Sequence, residues 1–163
     1  MTIRPCSEDD RDAIFAVVNA AAEVYRGVIP ADRWHEPYMP MTELDDEIAA
    51  GVEFWGYEDD GELVGVMGMQ DVGELDLIRH AYVSPALQGR GIGSRLLEHI
   101  TASATRRMLV GTWAAAEWAI RFYRRHGFVF VPRERTAELL RRYWNIPERQ
   151  IETSVVLARP PLD

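Results

Sequence analysis

The chain has 163 residues, 47% of them hydrophobic, enough to bury about two-thirds of its unfolded surface in one core, so a single domain over residues 1–163 is expected. Its formal charge is −8, with acids grouped at Asp45-Asp46-Glu47, at Glu58-Asp59-Asp60 and at Asp71, Glu74 and Asp76, a field that repels a nucleic-acid backbone. All eighteen basic residues are arginine, which removes a Walker lysine and any Schiff-base lysine; the lone Cys6 excludes an internal disulfide and a cysteine zinc cluster.

The segment 2–6 reads as a first strand, followed by Ser7 and Asp10 spaced as a capping box. Ile14, Val17, Val18, Ala21, Val24 and Tyr25 keep helical spacing and predict an amphipathic helix. Residues 27–41 hold Pro30, Pro37 and Pro40 among Trp34, His35, Tyr38 and Met39, the composition of an irregular aromatic loop. Thr42 is placed to cap a short helix ending near Gly51. Residues 53–57 and 63–69 read as strands joined by a tight turn at Asp60-Gly61. The run 75–83 reads as the central strand, 91–106 as a helix with Ile92, Leu96, Leu97 and Ile100 buried, and 108–113 as a returning strand, a unit that favours a parallel crossover. A helix over 114–126, a strand over 128–131, a short helix over 137–143 and a last strand over 151–157 complete the pattern. No apolar run approaches the roughly 18 residues needed to span a bilayer, and a cytoplasmic location without membrane contact is expected. His35, His80, His99 and His126 lack ligand-like spacing, so no metal is expected.

Gln88-Gly89-Arg90-Gly91-Ile92-Gly93 stands between the central strand and the helix that follows it. Backbone amides there lack intrahelical acceptors, the helix dipole is positive, and glycines let an anion approach closely. Arg90 and Arg95 can add charge-assisted contacts. A phosphate fits such a turn, although a plain strand-to-helix turn has the same outline.

The stretch from Leu77-Ile78-Arg79-His80-Ala81-Tyr82-Val83-Ser84-Pro85 through Gln88, Gly91 and Gly93 to Ser94, Leu96 and Leu97 resembles motif A of the GNAT superfamily of N-acetyltransferases. Ala119-Ile120-Arg121-Phe122-Tyr123-Arg124-Arg125-His126-Gly127-Phe128 resembles its motif B. The resemblance covers roughly residues 53–131 and implies a mixed α/β fold, a sheet of about seven strands splayed at its centre with helices on both faces. It implies acetyl-coenzyme A as acetyl donor, with pantetheine contacts on Ala81, Tyr82 and Val83 and pyrophosphate contacts on Gln88, Gly89, Arg90, Gly91, Ile92, Gly93 and Ser94. The family's helix tyrosine, near the thioester sulfur, carries over to Tyr123 as the catalytic acid. Many members have an asparagine where this chain has Ala116.

The activity so implied is direct attack of an amine on the acetyl carbonyl in a ternary complex, the acceptor being a small-molecule primary amine. The acceptor-facing segments by resemblance are 23–41 and 132–150. A protein N-terminus as acceptor, and a non-catalytic acyl-coenzyme A sensor, are the alternatives. The general base stays open: Leu77 occupies the strand position where some relatives have glutamate, leaving Glu74, Asp76, His80, His35, Glu36 and Tyr38 as nearby groups. Family members are often homodimers, and nothing in the sequence decides this.

Overall fold

The computed structural model describes residues 1–162. Seven strands are hydrogen-bonded in the order β1-β2-β3-β4-β5-β7-β6: β1 Thr2–Pro5, β2 Val52–Asp59, β3 Glu62–Asp71, β4 Asp76–Val83, β5 Met108–Trp113, β6 Val129–Phe130 and β7 Ser154–Arg159. The helices are α1 Arg11–Ala21, α2 Met41–Ala49, α3 Ile92–Ala102, α4 Glu117–Arg125, α5 Arg133–Tyr143 and α6 Glu148–Glu152. By internal packing the chain divides into one unit of residues 1–70 and 79–103 and a second of residues 71–78 and 104 onward, with β4 crossing between them.

In the first unit, β1, β2 and β3 form an antiparallel ladder, and the β2–β3 turn takes Asp60 and Gly61 at φ 51° and 78°, as a tight hairpin requires. Successive strand residues point to opposite faces, and β3 shows the consequence. Val66 packs with Ile14, Val17, Val18, Leu44, Val52 and Phe54 under α1 and α2, whereas a Cβ on neighbouring Gly65 would stand 2.9 Å from Ile92 of α3. Helices therefore cover both faces of this part of the sheet. The capping box at Ser7 and Asp10 forms as read, but it caps a short 3-10 turn over Glu8–Asp10 that leads into α1. The expected helix through Tyr25 ends at Ala21 and tightens into a second 3-10 turn, Ala22–Tyr25. Pro40, not Thr42, stands at the α2 N-cap; its fixed φ of −60° suits the entry, and Thr42 falls inside the helix.

In the second unit, β4 pairs parallel to β5 from Asp76↔Met108 to Ile78↔Val110, and β5 pairs antiparallel with β7 along its full length. Leu77, Leu109, Val156 and Ala158 pack with Leu139 and Leu140 of α5 and Ile151 of α6. The last strand begins at Ser154, three residues later than the sequence predicts, because Pro147 starts α6 and Ile151 is the buried residue of that helix. Likewise α5 begins after Pro132 rather than at Ala137. Helix α3 stops at Ala102, short of the expected 106, and α4 starts at Glu117 after a turn over residues 114–116.

Candidate active site

Every residue expected to hold the pyrophosphate lies in the first unit: Gln88 to Gly91 on the turn between β4 and α3, and Ile92, Gly93 and Ser94 in the first turn of α3. Gly89 and Gly91 have φ of 80° and 81°, a region that costs other residues roughly 1–2 kcal/mol, and nothing stands within 4 Å of a Cβ placed on either. Gly91 is the α3 N-cap without a side-chain cap, and the first helical bond runs from the Arg95 N–H to the Gly91 carbonyl. The amides of Gly91, Ile92 and Gly93 precede that first bond and lie at the positive end of the helix. Gln88 donates its side-chain N–H to the Val83 carbonyl at 3.2 Å, fastening the turn to the end of β4. Ile92 is buried in the core, so it can offer a ligand only its backbone. Arg90 is exposed, whereas Arg95 donates to the Tyr57 hydroxyl at 3.0 Å.

The adjoining end of β4 is bent. His80 has φ 56° in mid-strand, a left-handed conformation uncommon for any residue with a Cβ. Gly68 of β3 accommodates the bend: a Cβ there would stand 2.8 Å from the Arg79 carbonyl oxygen. Pairing with β5 ends at Ile78, so backbone groups of Ala81, Tyr82 and Val83 on that side are not used by the β4–β5 ladder.

The Tyr82 ring belongs to an aromatic cluster. It stacks with His80 at 6.5 Å and meets Tyr25 edge-on at 6.4 Å; Tyr25 stacks on Tyr38 at 5.7 Å, and Trp34 leans on Tyr38 at 5.5 Å. The 23–41 segment is thus an aromatic wall, held in place by Asn19, which accepts the Met39 N–H at 2.8 Å and donates to the Met39 carbonyl at 3.0 Å. Carboxylates Glu43 and Glu47, one helical turn apart on α2, stand beside His80. Burial, then the Glu47 charge, raises the Glu43 pKa above the ordinary carboxylate value. Burial lowers that of Arg79, against the pull of Glu47.

Tyr123 belongs to the second unit, where it is 6% exposed, packed edge-on to Phe122 at 5.1 Å and to Phe128 at 5.6 Å. Its backbone carbonyl accepts the His126 and Phe128 amides, closing α4 at Gly127, φ 86°.

With this geometry the chain matches, over residues 50–130, the family described as "Acetyltransferase (GNAT) domain". The chain belongs to the GNAT family. Its fold is shared with the PaiA N-acetyltransferase of Thermoplasma acidophilum solved with coenzyme A, at TM-score 0.70 and 17% identity over 97% of this chain and 98% of that one. An acetyltransferase of Thermus thermophilus superposes at TM-score 0.70 with 18% identity over 98% and 97% of the two chains. A ribosomal-protein alanine N-acetyltransferase of Escherichia coli does so at 0.67 with 16% identity over 96% and 91%.

In this GNAT N-acetyltransferase, Ala116 is fully buried and caps α4 without a side-chain bond, so the asparagine common in the family has no substitute at that position. Sequence reasoning passed over Asn19, Gly68 and Glu43, and took Glu47 only as one of an acidic group. The four-residue spacing of the two glutamates was the only visible sign of their shared face. Among the described residues, no group of three or more metal-ligating side chains stands together, and no helix is long and apolar enough to cross a membrane.

Proposed function

We propose that the whole chain acts as one transferase domain that moves the acetyl group of acetyl-coenzyme A to the primary amine of a small molecule, by direct attack in a ternary complex. The observation that carries this reading is the glycine turn: two left-handed glycines open α3 and present amides without intrahelical acceptors. In this reading the amides of Gly89, Arg90, Gly91, Ile92, Gly93 and Ser94, with the Gln88 backbone, hold the pyrophosphate. The β5-side backbone of Ala81, Tyr82 and Val83 pairs with the pantetheine arm, and an amide near Val83 polarises the acetyl carbonyl. The Tyr123 hydroxyl protonates the departing thiolate. The amine must lose a proton before it attacks: for an acceptor of pKa about 10.4, holding the neutral form at pH 7 costs about 4.6 kcal/mol, at roughly 1.36 kcal/mol per unit. A small amine bearing an apolar portion suits the wall of Tyr25, Trp34, Tyr38 and Tyr82.

Ala116 favours a second reading, an acyl-coenzyme A sensor without catalysis. One experiment separates the two. Acetyl-coenzyme A is titrated calorimetrically into the wild type and Gly91→Glu, and thiol release is then followed with a panel of amines. The transferase reading expects micromolar binding, weakened on the order of 100-fold in Gly91→Glu by loss of charge-assisted contacts worth about 1.5–3 kcal/mol, and amine-dependent thiol release. Binding without release supports the sensor. Release with a peptide N-terminus alone overturns the small-molecule acceptor, and absence of binding overturns both readings.

A further inference from the structure

Strand β4 bends at one residue, and that residue is a histidine aimed at a carboxylate. A left-handed φ at a non-glycine residue inside a strand is strain, which persists only where the surroundings hold it. Here Gly68 makes room for the turned Arg79 carbonyl, Phe54 stacks on the His80 ring from one side at 6.2 Å and Tyr82 from another at 6.5 Å. The ring's Nε2 meets Oε2 of Glu47 in a short contact, both atoms are shielded from solvent, and neither has a further hydrogen-bond partner among the described residues. Both side chains remain partly open, 18% for His80 and 22% for Glu47.

We infer that His80 and Glu47 form the proton-accepting pair of this acetyltransferase, Glu47 fixing the imidazole and Nδ1 of His80 taking the proton of the incoming ammonium. This rests on the transferase reading above. The contact assigns the tautomer: a neutral imidazole facing a carboxylate through Nε2 carries its hydrogen there and leaves Nδ1 with the free electron pair. Once Nδ1 is protonated, the Glu47 carboxylate stabilises the imidazolium, the role an aspartate plays toward histidine in a hydrolytic triad. Glu47 is thus a positioning residue and His80 a catalytic one.

The chemistry balances without a further reagent. The ammonium N–H bond breaks and an Nδ1–H bond forms; that proton passes to water. The amine electron pair attacks the acetyl carbon, the C–S bond breaks, the nitrogen loses its second proton and the thiolate gains one. The net products are amide, coenzyme A thiol and one proton. His80 lies three residues before Val83 on the same strand, at most about 10 Å along the chain, so it acts on the amine at the mouth of the acyl site rather than on the acyl carbon. Around the pair, Glu43 adds a second carboxylate from α2 and the rings of Tyr82 and Tyr25 lie close by, which favours an arriving cation; Arg33 and His35 act on Glu43 from the loop, Arg33 with a positive charge that opposes it, and Arg79 is held by Gln70 at 2.8 Å.

His80→Gly tests the inference, because glycine suits φ 56° and the deletion leaves an imidazole-sized space. The assay follows thiol release from acetyl-coenzyme A with 2-phenylethylamine and spermidine, alongside the calorimetric Kd for acetyl-coenzyme A. Expected are a kcat about 100-fold lower in His80→Gly, recovered at least tenfold by added imidazole, and a kcat about tenfold lower in Glu47→Gln at unchanged KM, all with Kd within about twofold of wild type. Wild-type turnover with both variants within threefold of it overturns the pair and leaves the transferase reading standing. So does a loss in His80→Gly that imidazole does not recover. Binding of acetyl-coenzyme A with no turnover of either amine overturns the pair as well, and absence of binding overturns the transferase reading itself.

Discussion

Gly68→Ala is the most direct probe of the bend in β4. The added Cβ would stand 2.8 Å from the Arg79 carbonyl oxygen, 3.0 Å from Val52 Cγ1 and 3.3 Å from Phe54 Cε1. Favourable contact begins near roughly 3.5 Å, so the carbonyl must retreat by about 0.7 Å or the two strands must separate. Because the closest obstruction is backbone, no rotamer change relieves it, and the cost belongs at the upper end of the overpacking range, about 2–3 kcal/mol. Gly65→Ala is the matched control: its Cβ meets Ile92 Cγ2 at 2.9 Å and Leu96 Cδ1 at 3.3 Å, side-chain ends that can shift, at about 1 kcal/mol. At roughly 2–4 °C per kcal/mol for a chain of this size, Gly68→Ala should lower the Tm by about 4–12 °C and Gly65→Ala by about 2–4 °C. The displaced carbonyl immediately precedes His80, so Gly68→Ala should also lower kcat in proportion beyond the control. Urea unfolding and thiol-release kinetics measure both. A Gly68→Ala protein within about 0.5 kcal/mol of wild type, or equal to Gly65→Ala in both respects, would refute the claim that this glycine makes the bend possible.

Tyr123→Phe removes one hydroxyl from a side chain whose ring is already held by Phe122 and Phe128, so the fold should survive. As general acid its loss lowers kcat on the order of 100-fold with the acetyl-coenzyme A Kd unmoved, and an unchanged kcat assigns the proton to water instead. At the other end of the chain, the Arg4 guanidinium grips Asp10 through two bonds of 2.8 and 2.9 Å and holds its pKa down to about 2. A carboxylate depressed in the folded state stabilises above its unfolded pKa near 3.8 and loses that contribution as pH falls through about 2. Asp10→Asn should therefore cost about 1 kcal/mol at pH 7, after allowance for the partly exposed Arg4, with the difference closing by pH 2; a gap of equal size at both pH values would dismiss the linkage.

The order of strands and helices was legible because each buried stripe keeps its own period: Ile92, Leu96, Leu97 and Ile100 repeat as a helix does, and all four are buried in α3. The glycine turn was legible for a different reason, since left-handed backbone at Gly89 and Gly91 leaves glycine as the residue of choice. Errors gathered where proline decides. Pro40, Pro132 and Pro147 each start a helix at a position that hydrophobic spacing alone assigns elsewhere or misses, as with α6. The pairing of Glu47 with His80 joins positions 33 residues apart and carries no local period, and His80 was legible only as one base among several. Asn19 was invisible for the same reason: its partner, Met39, lies 20 residues away across the aromatic segment.

The two reactants of the proposed reaction make opposite electrostatic demands, and the chain meets them at different ranges. Its net charge of −8 opposes an anionic cofactor and favours a cationic amine. At physiological ionic strength, however, exposed charges fade beyond about 8 Å, so a pyrophosphate at the β4–α3 turn responds mainly to what touches it. In the proposed site that is backbone: amides of a helix start that follows two left-handed glycines, with Arg90 exposed beside them. Backbone dipoles are insensitive to the surface composition, which lets the remaining surface stay acidic without forfeiting the donor site. In the proposed reaction the acceptor side draws on the acidity itself, through Glu43 and Glu47 beside the wall of Tyr82, Tyr25 and Tyr38, where an ammonium would enter as a cation and then give its proton to His80. A chain without lysine is consistent with that division, since every fixed cation is an arginine that stays charged, and none can compete with the substrate as an acetyl acceptor.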